Sequence, residues 1–270
     1  MDSHSQGTAL ITGASSGIGA VYADRLARRG HDLILVARNR ERLDALGVRI
    51  AQDTGRSVEV LVANLTSNAD RARVEQRLRS DGRITTLVNN AGFIASGRLT
   101  GADLDLHESM IQLNAVAVMR LTCAALPGFT ARGYGVVINI GSITSLMPET
   151  FKGTYSATKA FVLSFTQSLQ AEVGGRGIRV QAVLPGGTRT ELWERGGFDV
   201  ASFPSEVMMD VDEMVDAALA GFDQGELITI PSLPEARAWT EFDAARLALG
   251  PSLSRSHPAK RYQVIEHGSV

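Results

Sequence analysis

Residues 8–19 read T-A-L-I-T-G-A-S-S-G-I-G, and this stretch decides the fold. The apolar run Thr8–Ile11 predicts a buried strand, and the residues Ala20–Gly30 predict a helix. Between them, Gly13, Gly17 and Gly19 would let the backbone turn sharply and let a phosphate group approach the main chain. The phosphate would lie at the helix N-terminus, where free N–H groups and the helix dipole favour anions. The spacing differs from the commonest dinucleotide-binding pattern, so an ordinary loop is the alternative for this stretch taken alone.

A second apolar run, Asp32–Val36, predicts the next strand and is followed by Arg38, with Arg40 close behind. In a strand–helix–strand unit that binds a nucleotide, the residue at this strand end meets the adenosine ribose. The segment Leu33–Arg40 holds no Asp or Glu to bind a ribose 2′-hydroxyl. A guanidinium suits a 2′-phosphate, because it stays charged and can donate two parallel hydrogen bonds. The sequence therefore favours NADP(H) over NAD(H); the alternative is that Arg38 is a solvated residue at a helix start.

Apolar runs alternate with helical patterns along the rest of the chain. The further predicted strands are Ser57–Val62, Thr86–Asn89, Gly135–Ile140, Ile178–Leu184 and Leu227–Ile230. The further predicted helices are Asn39–Asp53, Ala69–Ser80, Leu104–Arg132, Thr154–Val173 and Asp212–Asp223. Strands that are apolar throughout and alternate with helices imply a parallel sheet covered on both faces. We expect a doubly wound α/β domain of about seven strands over residues 1–230, with a C-terminal extension over residues 231–270.

Composition and charge exclude several classes of protein. An apolar content of 44% and a charged content of 21% are ordinary for a globular protein and exclude wholesale disorder. The formal net charge of −2 provides no basic surface for nucleic acid. The single cysteine, Cys123, excludes an intrachain disulfide, and the five histidines lack metal-ligand spacing. From this spacing we expect no metal site. The N-terminus lacks a signal-peptide pattern and no apolar run approaches the roughly 18 residues of a membrane span, so we expect a cytoplasmic protein.

Tyr155 and Lys159 stand four residues apart in a predicted helix, and so they share one face of it. An ammonium beside a phenol favours the phenolate, so we expect the pKa of Tyr155 to lie well below its ordinary value of about 10. Such a tyrosine can give or take a proton when a carbonyl is reduced or an alcohol is oxidised. Taken alone, the two residues are better explained as a chance pair on a surface helix. The glycine turn, and Ser142 thirteen residues before the tyrosine, favour the catalytic interpretation.

Six motifs follow one another in order: T-G-A-S-S-G-I-G from residue 12, N-N-A-G from 89, Asn114, Ser142, Y-S-A-T-K from 155 and P-G-G-T-R-T from 185. Together they resemble the short-chain dehydrogenases/reductases, in their compact single-domain branch, over about residues 7–230. The resemblance implies a Rossmann fold, a nicotinamide cofactor and a catalytic tetrad of Asn114, Ser142, Tyr155 and Lys159. The expected cofactor-binding residues are Gly13, Ser15, Ser16, Gly17, Ile18, Gly19, Arg38, Asn64, Leu65, Asn90, Ala91, Gly92, Tyr155, Lys159, Pro185, Gly186, Thr188 and Thr190.

Each tetrad residue has an expected role. Tyr155 is the proton donor in reduction and the base in oxidation. Ser142 positions the substrate oxygen. The resemblance also implies that Lys159 holds the nicotinamide ribose, and that Asn114 lies at a local break in its helix and relays a water to Lys159. Without the resemblance, Ser142 would be a turn residue at a strand end and Asn114 a satisfied polar residue of the core.

Three features depart from the family pattern. Asn64 stands where many members have an aspartate for the adenine amino group, although its amide oxygen could accept the same bond. Ser15 and Ser16 occupy the glycine turn where NADP-preferring members often have a basic residue, which leaves Arg38 as the main anchor. The extension after residue 230 carries no family motif; its stretch Glu235–Leu249 predicts a helix that packs on the domain or on a partner subunit.

The substrate pocket is expected between the segments Ile143–Phe151 and Glu191–Met209. Their large side chains are mostly apolar: Leu146, Met147, Phe151, Leu192, Trp193, Phe198, Phe203, Met208 and Met209. We therefore expect a hydrophobic ketone, aldehyde or secondary alcohol as substrate. The alternatives are a non-catalytic sensor of NADP(H), and a nucleotide-sugar epimerase or dehydratase, for which the extension after residue 230 is too short.

The predicted helices Leu104–Arg132 and Thr154–Val173 carry more apolar residues than one face toward the sheet requires. These residues include Met110, Val116, Met119, Phe161, Leu163, Phe165 and Leu169. In the family the equivalent helices pair across a two-fold axis, so the resemblance implies a homodimer or homotetramer.

Overall fold

The computed structural model describes residues 6–95, 99–149 and 153–262. By its internal contacts the chain divides into two compact units, Met1–Ser232 and Leu233–Val270. All the predicted catalytic and cofactor-binding residues belong to the larger unit and are described. Phe151, expected in the wall of the substrate pocket, and the leader before Gln6 lie outside the described residues.

Seven parallel strands form the central sheet of the larger unit, in the order β3-β2-β1-β4-β5-β6-β9. These strands are β1 (Thr8–Thr12), β2 (Asp32–Ala37), β3 (Val58–Val62), β4 (Ile84–Asn89), β5 (Gly135–Ile140), β6 (Ile178–Val183) and β9 (Ile228–Thr229). The strand order reverses direction between β1 and β4, and ligands of such sheets bind beyond the carboxyl ends of the strands at that point. The predicted doubly wound sheet of about seven strands is confirmed.

Helices cover both faces of the sheet, because successive residues of each buried strand point to opposite sides. The helices of the larger unit are α1 (Gly17–Arg28), α2 (Arg40–Thr54), α3 (Asn68–Ser80), α4 (Leu104–Ile111), α5 (Val118–Arg132), α6 (Thr154–Val173), α7 (Leu192–Arg195) and α8 (Val211–Asp223). Of these, α1, α2 and α8 pack on one face, and α3, α5 and α6 on the other. Ile11 of β1 faces one core, shared with Tyr22 of α1 and Met214 of α8. Its neighbour Leu10 faces the other core, with Leu121 of α5 and Leu169 of α6.

The predicted helix Leu104–Arg132 is interrupted in the middle. Residues Gln112–Ala117 form a π-helical segment between α4 and α5. Such segments are frequent at functional sites, because the wider turn re-aims a side chain. The segment contains Asn114, at which the family resemblance implies a local break.

Within the described chain, the same stretch, Leu104–Arg132, is long and apolar enough to cross a membrane, with a mean hydropathy of 1.4 over its most apolar 18 residues. Half of that window is buried inside the fold. Leu121, Ala124 and Phe129 of α5 belong to the core beneath the sheet. The expectation that no run approaches the length of a span is therefore wrong as a statement about sequence, and burial identifies this helix as part of the core.

Two short strands lie outside the main sheet, and the sequence pattern did not predict them. Gly187–Thr188 (β7) pairs in parallel with Met208–Met209 (β8). Arg189 N also donates to Met209 O at 2.9 Å. Residues 189–207 therefore form a loop whose two ends are joined at its base.

The smaller unit contains the predicted helix, as α9 (Ala236–Ala248), followed by α10 (Gly250–Leu253). Trp239 and Phe242 of α9 are in ring contact, with centroids 5.6 Å apart. Within the described part of this unit no residue is buried. The packing predicted for its apolar stripe stays a prediction.

Candidate active site

The glycine turn after β1 lies against the end of β4, and the approach leaves no room for side chains. A Cβ at Gly13 would lie 2.8 Å from the Cα of Ala91, and one at Gly19 would lie 2.5 Å from Nδ2 of Asn90. Gly13 also has a positive φ of 66°, which favours glycine. The chain thus presents bare backbone at the carboxyl edge of the sheet.

Asn90 and Thr12 hold this turn in place. Asn90 Nδ2 donates to the carbonyl oxygens of Thr12 and Gly13, at 2.9 and 3.2 Å. The Thr12 hydroxyl donates to Val88 O and accepts from the backbone N–H groups of Asn90 and Ala91, both at 3.0 Å. Asn90 therefore shapes the site through the backbone of the turn. Thr12 shapes the turn to the same extent. It was not predicted as a site residue, since a threonine at a strand end carries no sequence signal of its own.

The N-terminus of α1 differs from those of the two helices that follow it, α2 and α3. Ser16 stands at its N-cap position with extended backbone, yet no side chain in the described chain caps the first turn, and that turn holds no acidic residue. By contrast, Asn39 caps α2 and Ser67 caps α3. The first N–H groups of α1, next to Ser15, Gly17 and Ile18, are therefore open to an anionic ligand.

At the end of β2, Arg38 and Arg40 flank the capping residue Asn39. Both arginines are exposed, and within the described residues neither forms a hydrogen bond or an ion pair. Their charges are therefore available to a ligand at this strand end.

At the end of β3, Asn64 forms a local turn. Its Oδ1 accepts from the N–H and the hydroxyl of Thr66, at 3.3 and 2.9 Å. The oxygen expected to accept from an adenine amino group is thus already bonded within the chain. The next residue, Leu65, is buried in the core beneath the sheet.

Tyr155, Lys159 and Ser142 converge beyond the end of β5. Lys159 Nζ donates to Ile140 O at 2.9 Å and lies 5.7 Å from the centroid of the Tyr155 ring. The Ser142 hydroxyl forms a hydrogen bond with Tyr155 and accepts from the N–H and the hydroxyl of Thr144, at 3.2 and 3.0 Å. Tyr155 is 9% exposed, Ser142 8% and Lys159 6%. The structure thus brings together three of the four predicted catalytic side chains in a buried group.

Burial dominates the protonation of this group. It raises the pKa of Tyr155 to about 12, although the hydrogen bond with Ser142 acts in the opposite direction. It also lowers the pKa of Lys159 to about 8, because an ammonium loses hydration in the interior. The prediction that the pKa of Tyr155 lies well below 10 is therefore wrong for the chain alone. Desolvation of the phenolate is the larger cause, and the Lys159 ammonium is bonded to Ile140 O.

Asn114, the fourth member, lies one layer further in and is 1% exposed. Its side chain pairs with the backbone of Phe93 in both directions, at 3.1 Å to N and 2.9 Å to O. Its Nδ2 also donates to the Thr158 hydroxyl at 3.2 Å. That hydroxyl in turn donates to the backbone carbonyl oxygen of Tyr155 at 2.7 Å. A Cβ at Gly92 would lie 3.1 Å from Oδ1 of Asn114, so this position suits glycine. Asn114 thus ties the segment after β4 to the first turn of α6.

After β6, the segment that begins with Pro185 and Gly186 returns toward the glycine turn. Thr188 O accepts from the indole N–H of Trp193 at 2.8 Å. A Cβ at Gly17 would lie 3.1 Å from the methyl group of Thr190. Thr190 therefore lies beside the turn, as a shared cofactor site would require.

An apolar cluster covers Tyr155. Its buried members are Ile94, Met110, Tyr155, Trp193 and Met208, and Leu192, Phe198 and Phe203 pack against them. The ring centroids of Trp193 and Phe203 are 5.1 Å apart. Of the other residues predicted for the pocket wall, Met147 is exposed and Met209 packs on the core that contains Ile11. The loop 189–207 therefore closes over the catalytic tyrosine with its aromatic side chains turned inward.

A row of buried polar side chains crosses the sheet below the site and was also missed. Asn89 Nδ2 donates to the Thr122 hydroxyl at 3.0 Å and to Asn139 Oδ1 at 2.9 Å. Asn139 Nδ2 donates to the Thr166 hydroxyl at 2.9 Å. The row links α5, β4, β5 and α6.

Among the described residues, no group of three His, Cys, Asp or Glu side chains is placed to hold a metal ion.

Comparisons with known proteins agree with this geometry. Residues 7–197 match the family model for short chain dehydrogenases. A solved short-chain dehydrogenase from Sphingobium yanoikuyae in complex with NADPH is 51% identical, with a TM-score of 0.92 over 95% of this chain and 100% of that one. The bulky-bulky ketone specific alcohol dehydrogenase from Comamonas testosteroni is 45% identical, with a TM-score of 0.88 over 96% of this chain and 99% of that one.

A curated relative, the very-long-chain 3-oxoacyl-CoA reductase from Anas platyrhynchos, is 38% identical over 66% of this chain, a match that spans only 58% of that protein's length. The protein described here belongs to the short-chain dehydrogenase/reductase family. It is therefore an oxidoreductase of that class, as its motifs predict.

Proposed function

We propose that this protein reduces a hydrophobic ketone or aldehyde with NADPH and catalyses the reverse oxidation of the secondary alcohol. The observation that carries the proposal is the buried group of Tyr155, Ser142 and Lys159 beneath an apolar cluster at the strand ends. A protonated phenol, a hydroxyl beside it and an ammonium below it are the groups that carbonyl reduction needs.

The residues present fit a dinucleotide. Backbone replaces side chains at Gly13 and Gly19, where a Cβ would collide with Ala91 and Asn90, so a pyrophosphate can come close to the main chain. The first turn of α1 has no side-chain cap in the described chain, which leaves its N–H groups to the phosphates. Thr190 borders the same turn. When bound, the nicotinamide supplies the hydride.

Arg38 supports the preference for the phosphorylated cofactor. Its guanidinium is exposed at the end of β2, and in the described residues it has no acidic partner that would compete with a 2′-phosphate. The relative from Sphingobium yanoikuyae was solved in complex with NADPH. We expect Arg38 to bind the 2′-phosphate, with Arg40 adding charge nearby.

The proton comes from Tyr155. A pKa of about 12 keeps the phenol protonated at neutral pH, the form that donates to a carbonyl oxygen as the hydride arrives. The phenolate left behind is stabilised by the Lys159 ammonium below the ring. Ser142 orients the substrate oxygen, and Asn114 holds the first turn of α6 through Thr158.

The substrate is expected to be apolar apart from its carbonyl. Trp193, Phe198, Phe203 and Met208 close around Tyr155, and burial of apolar substituents against such side chains stabilises the complex. The Comamonas testosteroni relative is specific for bulky-bulky ketones. We expect a ketone with large substituents to be preferred over a small or charged carbonyl.

A graded substrate panel tests the proposal. Purified protein with NADPH is assayed by loss of nicotinamide absorbance against ketones and aldehydes that increase in chain length and ring content, with keto acids as the charged comparison. We expect kcat/KM to rise with apolar bulk. Activity confined to keto acids would contradict the substrate class, and binding of NADPH without turnover across the panel would favour a sensor.

Self-association is also proposed, through α4, α5 and α6. Met119 and Phe161 are more than one-third exposed, and Phe161 stacks on Phe165 with centroids 5.7 Å apart. Met110, Leu163 and Leu169, by contrast, are buried in the subunit's own core and are not available to a partner. An isologous dimer would cover the exposed rings. Light scattering at micromolar concentration should give at least twice the mass of the chain; a monomer mass would contradict this.

A further inference from the structure

An ion pair joins the first turn of α2 to the residue before α7. One guanidinium nitrogen of Arg42 contacts both carboxylate oxygens of Glu191, at 3.0 and 2.8 Å. The two residues are 149 positions apart in the chain, so the pair connects two segments that sequence does not connect. Glu191 also pairs with Arg195 one turn further along α7.

Both ends of the ion pair belong to segments that border the proposed cofactor site. Arg42 follows Arg38, the proposed ligand of the 2′-phosphate, by four residues. Glu191 directly follows Thr190, whose methyl group packs against Gly17 of the glycine turn. The glycine turn is also bonded to the end of β2, where Ala14 N donates to Val36 O at 3.3 Å. The glycine turn thus contacts the segment before α7 and the strand before α2, and the ion pair joins those two segments to each other.

The same glutamate begins the loop that covers the catalytic tyrosine. The loop 189–207 is joined at its base by the pairing of β7 with β8. Trp193, two residues after Glu191, packs on Tyr155 in the apolar cluster. The Arg42–Glu191 contact is thus the place where the adenosine side of the site is fastened to the substrate side.

We propose that Arg42 and Glu191 form a clasp that retains the dinucleotide, so that cofactor release requires this ion pair to open. The inference rests on the proposed NADP(H)-dependent function. Both residues are positioning residues, since they act through the segments that they fasten together. Each is nearly half exposed, and exposed ion pairs of this kind change an equilibrium by about two- to five-fold.

Glu191→Gln separates the clasp from a simple effect of charge. Removal of a carboxylate near the phosphates would, by electrostatics alone, slow the release of NADPH. Loss of a clasp has the opposite effect. We expect Glu191→Gln to release NADPH and NADH about two- to five-fold faster than wild type, measured by stopped-flow fluorescence of the reduced nicotinamide.

Three further proteins complete the test. Arg42→Gln should accelerate NADH release by a similar factor. The exchanged pair, Arg42→Glu with Glu191→Arg, should restore the wild-type rate of NADH release. The exchanged pair is assayed with NADH, because an acidic residue at position 42 would repel a 2′-phosphate. Arg195→Gln is the matched control: it removes the other partner of Glu191 but leaves the contact to α2, and it should release cofactor at the wild-type rate. At about 1 M salt, where the Debye length is about 3 Å, the differences should shrink.

The outcomes are distinct. Release of NADPH from Glu191→Gln at or below the wild-type rate would refute the clasp, and so would failure of the exchanged pair to restore NADH retention. Either result leaves the proposed function in place as long as wild type binds NADPH. A wild-type protein that binds neither cofactor would overturn the proposed function, and the clasp with it.

Discussion

The two ends of the proposed cofactor site are built in opposite ways. At the catalytic end, Tyr155, Ser142, Lys159 and Asn114 are each less than one-tenth exposed, and their polar groups are bonded within the chain. At the adenosine end, Arg38 and Arg40 are exposed and are without a partner among the described residues. The difference indicates that the catalytic end is organised before any ligand arrives, whereas the adenosine end acquires its contacts from the ligand. A substitution at the first end should affect chemistry or folding, depending on which buried group it removes, and one at the second should affect affinity alone.

The largest effect is expected at the catalytic end, from Tyr155→Phe. The ring keeps its packing in the apolar cluster, and only the proton donor is lost. Turnover should fall by about 100- to 10,000-fold, with little change in NADPH affinity or thermal stability. Tyr134→Phe, at an exposed tyrosine, is the matched control. A Tyr155→Phe variant that keeps most of the wild-type kcat would end the assignment.

Lys159→Met tests whether the ammonium at the catalytic end is buried, through the pH dependence of the free energy of unfolding. The pKa of Lys159 is lowered to about 8 in the folded chain, against an ordinary value of 10.5 when unfolded. Between these values the unfolded chain binds the extra proton, so this group makes the wild-type protein more stable as pH rises through that window. The free energy of unfolding of wild type relative to Lys159→Met should therefore increase by roughly 3 kcal/mol from about pH 7 to pH 10.5.

Urea unfolding across that range measures the difference, with Lys260→Met, at an exposed lysine, as control. A difference that stays constant with pH would show that the ammonium at 159 is hydrated, and the contrast between the two ends would lose its basis.

Arg38→Ala tests the exposed end. Loss of a charge-assisted contact to phosphate should weaken NADPH binding by about ten- to a hundred-fold and leave NADH binding nearly unchanged. Arg176→Ala removes an exposed arginine on a loop far from the strand end in sequence and should have no effect. Equal affinity of wild type for both cofactors, by titration, would remove the proposed role of Arg38.

The smallest effect expected is that of salt on wild type. Raising the salt to about 1 M should weaken NADPH binding several-fold, because Arg38 and Arg40 act across solvent. The value of kcat at saturating cofactor should stay nearly constant, since the Tyr155 group is shielded from the solvent. A parallel fall in kcat would mean that the catalytic end is open to ions.

Much of this arrangement could be predicted from the sequence. Apolar runs alternate with helical patterns clearly enough to predict the sheet, and glycine and asparagine residues mark the strand ends where ligands bind. The identity of the tetrad followed from motif order. Each of these signals is local, or repeats at a fixed spacing.

The features that were missed depend on contacts between distant residues. The Thr12 hydroxyl bonds to backbone groups 76 to 79 residues away. The bond from Thr66 to Asn64 Oδ1 is a local exception, and it was missed because no motif marks Thr66. The pKa of Tyr155 was predicted in the wrong direction because only its cationic neighbour is visible in sequence. The burial that raises this pKa accompanies the apolar cluster that Tyr155 shares with Trp193 and Met208, which are far from it in the sequence.

The row of buried amides below the site has a consequence for how the sheet assembles. Asn89 and Asn139 are directly paired in register between β4 and β5, and their side chains are bonded to each other at 2.9 Å. A slip of one residue would turn the two amides to opposite faces and leave them unpaired in an apolar interior. Apolar neighbours such as Val88 and Ile138 would tolerate the same slip far better. The two asparagines therefore favour the register in which the ends of β4 and β5 come together at the site.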